Sequence, residues 1–220
     1  MIILIGGEKG GTGKTTLSTN LAAVMMSYNS DVLLVDTDRQ GSASAWCTMR
    51  DESPNFKRIP CIQKFGPTIA SEIKDLSNRY QDIIVDAGGR LSVELRSALT
   101  VANKIFIPIQ ASQFDVWTLG AMDNLVNLAR PYNPHLKAFV VINRASTNPS
   151  VSESRETKEV FDDFQNLKLL KTMIHDRIAY RKAARSGLAV IELEQPDSKA
   201  NAEVEDFYRE VVMVDEKISA

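Results

Sequence analysis

Two lysines lie within one short glycine-rich segment, residues 8–16, whose sequence is EKGGTGKTT. An apolar run at residues 1–5 predicts a buried strand before it, and residues 16–26 predict a helix after it. This order is typical of a phosphate-binding loop, because glycines let backbone N–H groups approach phosphate oxygens and the helix N-terminus adds a positive dipole end. The sequence therefore predicts nucleotide contacts from Lys9, Gly10, Gly11, Thr12, Gly13, Lys14, Thr15 and Thr16.

Two of these side chains have more specific predicted roles. We expect Lys14 to reach the β- and γ-phosphates of a nucleotide and the Thr15 hydroxyl to bind Mg²⁺. The strict form of such loops has a glycine where Glu8 stands. A chance glycine-rich turn with a solvated lysine is the alternative, and the flanking strand and helix argue against it.

Acidic side chains end two further apolar runs. Asp36 ends the run at 31–36 and Asp38 follows two residues later, while Asp86 ends the run at 82–86. Carboxylates leaving a buried strand are costly to bury without partners, and Mg²⁺, water or lysine would satisfy them. Asp86 fits the strand-end aspartate that holds Mg²⁺ beside a phosphate loop. Capping of the next helix is the structural alternative for the Asp36–Asp38 pair.

Apolar runs of strand length alternate with helical patterns along the whole chain. Several strands are continuously apolar, which indicates burial on both faces of a parallel sheet. We therefore expect one domain, residues 1–220, with a doubly wound, mostly parallel α/β fold whose ligands bind beyond the carboxyl ends of the strands. Strands are predicted at 1–5, 31–36, 59–65, 82–86, 104–109, 138–143 and 169–174, and helices at 16–26, 68–80, 92–102, 117–130, 152–164, 180–186 and 200–212.

Composition excludes several classes of function. No apolar run approaches about eighteen residues, so no membrane span is expected, and residues 1–5 lack the basic flank of a signal peptide. Cys47 and Cys61 form no CxxC pair and are expected to be free thiols, while isolated His135 and His175 make a zinc site improbable. The formal net charge is −2, so nucleic-acid binding would need a local basic patch.

The loop form Lys-Gly-Gly-x-Gly-Lys-Thr resembles the ParA/MinD family of P-loop ATPases, which position DNA or other cargo in bacteria. The resemblance implies that Lys9 is the family's signature lysine and reaches the partner's phosphates across a dimer interface. It implies that Asp38 orients or activates the attacking water and that Asp36 supports the Mg²⁺ shell. The family usually has proline where Arg39 stands, so this chain's first switch, residues 36–40, is expected to be looser, with a possible charge near the phosphates.

The resemblance continues after two later strands. Residues 86–90, the second switch, carry Gly88-Gly89 instead of the family's usual proline, and their N–H groups could meet a γ-phosphate. Asn143 matches the family's adenine site, since an amide offers a donor and an acceptor, and Arg144 could stack on the base or line the dimer face. No Asn-Lys-x-Asp signature for guanine is present, which favours ATP. Residues 108–117 also resemble the partition branch, with Asp115 a possible helix cap.

A basic stripe follows the last predicted strand. Arg177, Arg181 and Arg185 recur at helical spacing with Lys182 alongside, and no acidic residue interrupts them. Together with the resemblance, the stripe predicts non-specific DNA binding through phosphates, and a solvated helix face is the alternative. The helix at 200–212 is acidic, which disfavours a membrane anchor; Phe207 and Val211 are expected to pack on the domain.

These expectations define a short ParA-like ATPase. It would use ATP and Mg²⁺, close a homodimer around two nucleotides, bind DNA without sequence preference, and be released by hydrolysis that an adaptor (ParB-like) protein stimulates. The expected location is the cytoplasm, on the nucleoid. The alternatives are a metabolic P-loop synthetase, a nitrogenase-iron-protein-like electron carrier, for which the cysteines lie in the wrong stretches, and a MinD-like membrane-recruited regulator.

Overall fold

A seven-stranded, all-parallel sheet forms the centre of the structure, a computed structural model that describes residues 1–110, 113–148, 161 and 164–213, with the backbone alone at 113–117. Its strand order is β3-β2-β4-β1-β5-β6-β7, and every recorded strand pair is parallel. The doubly wound α/β prediction is confirmed. The strands are β1 Ile2–Gly7, β2 Val32–Asp36, β3 Cys61–Gln63, β4 Asp82–Gly89, β5 Lys104–Ile109, β6 Lys137–Ala145 and β7 Leu167–His175.

Seven α-helices flank the sheet within the described part of the chain. They are α1 Lys14–Ser27, α2 Ser42–Asp51, α3 Ile69–Leu76, α4 Val93–Leu99, α5 Gln113–Ala129, α6 Ile178–Ala184 and α7 Ser198–Met213. A 3₁₀ turn, Val190–Glu192, lies between α6 and α7. The predicted helix at 152–164 falls almost entirely outside the described residues. None of the described helices is long and apolar enough to cross a bilayer.

Both faces of the sheet are buried, which explains the continuously apolar strands. Ile3 and Ile5 pack with α1, α2, α6 and α7, while Ile2 and Leu4 pack with α3, α4 and α5. Successive side chains of a strand point to opposite faces of the sheet, so each strand contributes apolar side chains to both hydrophobic cores. Phe207 and Val211 are buried in the first core, as predicted for the last helix.

Helix α2 was not predicted, because one of its core positions is an arginine. Its buried residues lie at i, i+3, i+4 and i+7, which is a normal apolar face except that the last member is Arg50, only 2% exposed. Arg50 is held by a bidentate ion pair with Glu192, at 2.6 and 2.7 Å, and stacks beside Trp46. In the sequence Arg50 reads as an exposed polar residue, because its ion-pair partner Glu192 lies 142 residues further along the chain.

These contacts tie α2 to the segment that follows α6. Trp46 Nε1 donates to the Leu188 carbonyl at 3.2 Å, and Arg50 Nη1 donates to the Gly187 carbonyl at 3.3 Å. Gly187 itself lies against the Arg50 backbone, where an added Cβ would sit 2.4 Å from the Arg50 nitrogen. The far end of α2 is thus fixed to residues 187–192 by packing, hydrogen bonds and an ion pair.

Candidate nucleotide-binding site

A cleft of about 460 Å³ opens at the carboxyl ends of the strands, where the sequence motifs meet. The phosphate loop, residues 8–16, lies at its centre. The two switches, on β2 and β4, line one end, and the ends of β6 and β7 with α6 line the other. A separate cleft of about 640 Å³ lies at the opposite edge of the sheet, beside His135 and Lys168, and contains none of these motifs.

The phosphate loop is closed by its own lysine. Gly13 adopts a left-handed conformation, φ 89°, immediately before α1 begins at Lys14. The Lys14 Nζ atom donates to the Lys9 carbonyl across the loop at 2.8 Å. Burial lowers the pKa of Lys14, against the opposing influence of Asp86 and Asp38. The amine is therefore held at the mouth of a loop whose geometry suits phosphate oxygens.

Asp86 lies directly beneath this loop and is 1% exposed. Its two carboxylate oxygens accept hydrogen bonds from Thr15 Oγ1 at 2.7 Å and Ser18 Oγ at 2.8 Å. Burial raises the pKa of Asp86 to about 7, against these two hydroxyl donors and the charge of Lys14. Ser18 was missed in the sequence, although it follows Thr15 by one helical turn on the same face.

The residues around Asp86 fit a magnesium ion. Hydroxyl and carboxylate oxygens are the donors that Mg²⁺ prefers, and Thr15 and Asp86 bring two of them together. Asp36 is paired with Asp86 in the β2–β4 register, but its carboxylate accepts from the Asp38 and Ser44 nitrogens at 3.0 and 2.9 Å. Asp36 therefore holds the first switch and the start of α2 in place. It would support a bound Mg²⁺ by positioning these segments and not as a direct ligand.

The pKa of Asp86 gives a stability prediction for the nucleotide-free protein. The pKa is higher in the folded than in the unfolded state, so between about pH 4 and 7 the folded protein binds more protons, and stability falls as pH rises through this window. Asp86→Asn keeps an acceptor and a donor for the two hydroxyls and removes the ionisation. We expect the variant to be more stable than wild type at pH 8 by a few kcal/mol and to differ by less than about 1 kcal/mol at pH 4.

Urea unfolding at both pH values measures this effect. Asp75→Asn, an exposed carboxylate on α3, is the matched control and should leave the pH dependence of wild type unchanged. Equal pH slopes for Asp86→Asn and wild type would contradict a protonated, buried Asp86.

Asp38 belongs to the first switch and lies against the second. Its Oδ1 accepts from the Gln40 nitrogen at 3.0 Å, and its carboxylate lies against Gly88, where an added Cβ would be 3.1 Å from the Asp38 Cγ. Gly88 therefore lets the second switch approach this carboxylate closely. The expected charge near the phosphates is not contributed by Arg39, whose guanidinium stacks on the Phe65 ring with 5.0 Å to its centroid.

Two residues at the end of β6 hold the phosphate loop from the other side. Asn143 is 3% exposed, and its Nδ2 donates to the Thr12 carbonyl at 2.6 Å; Gly13 leaves room for this amide. Arg144 has φ 55° and donates through Nη1 to the Gly11 carbonyl at 3.1 Å. The amide nitrogen of Asn143 thus clamps the loop, which leaves its oxygen as the group that could meet a base.

The basic stripe is shorter than predicted, because Arg177 does not share the helix face. Arg177 precedes α6 with extended backbone, and its guanidinium, 16% exposed, forms hydrogen bonds of 3.0 and 2.6 Å with Glu203. Arg181 is 59% exposed and lies 3.7 Å from Asp176, while Lys182 and Arg185 are exposed. The side chain of Asp115 lies outside the described part of the chain.

Comparisons with known proteins agree with this geometry. The family model "CobQ/CobB/MinD/ParA nucleotide binding domain" matches residues 3–190. A carboxysome distribution protein A from Halothiobacillus neapolitanus is 26% identical over 96% of this chain and 95% of its own length. The sporulation initiation inhibitor Soj from Bacillus subtilis is 28% identical over 96% and 97%.

Solved structures share the fold. Apo McdA from Cyanothece superposes with a TM-score of 0.76 at 16% identity over 96% of this chain and 98% of that one. Cobyrinic acid a,c-diamide synthase from Mycobacterium smegmatis reaches 0.67 at 18% identity over 84% and 92%. The same fold is thus found in a synthase and in McdA, and the fold alone does not assign a function. Because the matched family model spans most of its length, the chain belongs to the CobQ/CobB/MinD/ParA nucleotide-binding domain family.

Proposed function

We propose that this protein is a ParA-type ATPase that positions DNA or another cargo in the cell, using ATP and Mg²⁺. The observation that carries the proposal is that Lys14 and Asp38 line one cleft, with Asp86 bonded to Thr15 beneath it. The loop that supplies Lys14 also holds Lys9. Full-length similarity to the carboxysome distribution protein and to Soj supports positioning rather than biosynthesis.

Different residues of the cleft would bind the phosphates, hold Mg²⁺ and activate the attacking water. Backbone N–H groups of the phosphate loop and the start of α1 bind the phosphates, and Lys14 turns from the Lys9 carbonyl to their oxygens. Thr15 and Asp86 would hold Mg²⁺, which when bound offsets charge on the phosphates. Asp38, half-buried in the first switch, orients the attacking water and accepts its proton.

ATP would close a dimer through Lys9. The Lys9 carbonyl accepts a hydrogen bond from Lys14 Nζ, which holds the backbone of residue 9 within the loop. The ammonium group would bind phosphate oxygens of the nucleotide in the partner subunit, a charge-assisted contact that exists only while triphosphate is present. Loss of the γ-phosphate after hydrolysis, stimulated by an adaptor protein, would return the subunits to monomers.

The DNA surface we propose consists of Arg181, Lys182 and Arg185. These side chains lie on α6 and its C-cap, exposed, in a chain that is acidic overall. Phosphate contacts of this kind give affinity without base recognition and decrease with salt. Arg177 is excluded from this surface because Glu203 neutralises it. Attachment to the nucleoid follows from such a surface when two copies present it together.

Charge reversal tests the proposed DNA surface. Lys182→Glu with Arg185→Glu should weaken DNA binding on the order of tenfold or more in the ATP state and make its salt dependence shallower by about two phosphate contacts. ATPase activity without DNA should be unchanged. The measurement is a fluorescence anisotropy titration of a random-sequence duplex with non-hydrolysable ATP analogue, ADP and no nucleotide.

The matched control is Lys74→Glu with Arg79→Glu. These exposed residues on and beside α3 give the same change in net charge on the other face of the sheet. DNA affinity lost equally in both variants would indicate a general charge effect, and affinity unchanged in the α6 variant would exclude this surface. Wild type that binds no DNA in any nucleotide state would favour a synthetase over a positioning ATPase.

A further inference from the structure

One end of the cleft must receive the nucleoside. The phosphate loop follows β1, and the switches that sense the γ-phosphate follow β4 and β2 on one side of it. The base and ribose therefore extend toward the other side, where β6 and β7 end. Asn143 is the polar group expected there, but its amide nitrogen is already bound to the Thr12 carbonyl.

His175, the last residue of β7, lines the same end of the cleft and is held in one orientation. Its Nδ1 lies 2.7 Å from Glu203 Oε1, and its backbone nitrogen donates to Glu203 Oε2 at 3.2 Å. Arg177 binds the same carboxylate and balances its charge. Because a carboxylate oxygen accepts, Nδ1 carries the proton in this contact, and Nε2 is the ring nitrogen left for a ligand.

The neighbouring charges are paired with each other. Asp176 lies 3.8 Å from Arg144 and 3.7 Å from Arg181, so its carboxylate is shared by two guanidinium groups at the rim of the cleft. Among the described residues, no hydrogen bond is recorded for His175 Nε2. The His175 imidazole is therefore oriented at this end of the cleft by a mostly buried carboxylate, and its side chain is 27% exposed.

We propose that His175 recognises the nucleoside, with Nε2 accepting a hydrogen bond from a donor on the base or the ribose. Adenosine offers two such donors, the 6-amino group of the base and the ribose hydroxyls, while guanine offers an acceptor in place of the 6-amino group. Glu203 acts as a positioning residue, because it touches the imidazole and not the nucleotide. The proposal rests on nucleotide binding alone and is independent of dimer formation and DNA.

Calorimetric titration of the protein with Mg·ADP tests this role, since ADP avoids hydrolysis. His175→Ala should weaken ADP binding about five- to tenfold, the usual effect of one lost hydrogen bond. Three analogues identify the donor: purine riboside diphosphate, which lacks the 6-amino group, 2′-deoxy-ADP and 3′-deoxy-ADP. The analogue that lacks the donor bonded to His175 should bind wild type about five- to tenfold more weakly than ADP does. His175→Ala should not weaken the affinity for that analogue any further.

His135→Ala is the matched control, because His135 is the chain's other histidine and lies at the opposite edge of the sheet. It should bind all four nucleotides as wild type does. If His175→Ala binds all four within twofold of wild type, or weakens all four equally, His175 has no nucleoside partner and the proposal is wrong. If the wild-type protein does not bind ADP, nucleotide binding itself is wrong for this chain, and the role of His175 is wrong with it.

A second measurement needs no substitution in the cleft. In protein labelled with ¹⁵N-histidine, ADP should shift the Nε2 resonance of His175 and leave that of His135 in place, with assignments from His135→Ala. An unshifted His175 signal at saturating ADP would overturn the proposal even if His175→Ala proved too unstable to titrate.

Discussion

Asp38→Ala is expected to bind ATP with near wild-type affinity and to hydrolyse it at least a hundredfold more slowly. The Asp38 carboxylate accepts from the Gln40 nitrogen within the first switch and packs against Gly88 of the second. It is therefore held in position but only half-buried, so water can reach it. A base that accepts the proton of an attacking water contributes roughly 10²–10⁴ in rate. The phosphate loop does not depend on this side chain, because Lys14 and Asp86 are held by other partners.

Single-turnover hydrolysis with radiolabelled ATP, together with equilibrium binding, measures the two effects separately. Asp31→Ala is the matched control, since Asp31 is an exposed aspartate at the opposite end of β2. If Asp38→Ala hydrolyses ATP at the wild-type rate, the group that accepts the proton of the attacking water is not Asp38. Loss of ATP affinity by more than about tenfold would instead show that the carboxylate holds the switch in a binding-competent form.

Lys9→Ala should abolish the ATP-dependent dimer while each subunit still binds nucleotide. A hydrogen bond to a charged group is worth about 1.5–3 kcal/mol, and a dimer contains two such lysines, so the dimerisation constant should fall on the order of 10²–10⁴-fold. The loop should survive the substitution, because Lys14 binds the backbone carbonyl of residue 9 and not its side chain.

Light scattering in the Asp38→Ala background, with ATP and Mg²⁺ present, isolates assembly from turnover. Glu8→Ala is the control for a change of charge in the same loop; its carbonyl accepts from the Arg90 nitrogen through the backbone, which the substitution preserves. If the ATP-dependent dimer persists in Lys9→Ala, Lys9 does not hold the dimer together through the partner's phosphates, and this prediction is wrong.

The sequence predicted the parts of this molecule that depend on local pattern. Continuous apolar runs located the strands, and the strand-end positions of Lys9, Asp36, Asp86 and Asn143 located the cleft. The predicted fold and family are confirmed. The roles of the individual site residues, the dimer and the DNA surface remain predictions.

The failures share one cause, which is a partner distant in sequence. Helix α2 was missed because Arg50 is paired with Glu192, and Arg177 was wrongly placed on the stripe because Glu203 holds it. Arg39 was expected near the phosphates and instead stacks on Phe65. A guanidinium group spans enough distance to choose among several acceptors, and the fold, not the local pattern, decides which of them is near.

The anchoring of α2 limits how the first switch can respond to nucleotide. Its beginning is bound to Asp36 through the Ser44 nitrogen, and its end is bound to residues 187–192 through Trp46 and Arg50. A helix secured at both termini cannot swing outward as a rigid arm. Rearrangement on gain or loss of a γ-phosphate is therefore confined to residues 37–41, the five positions between β2 and α2, which contain both Asp38 and Gly41.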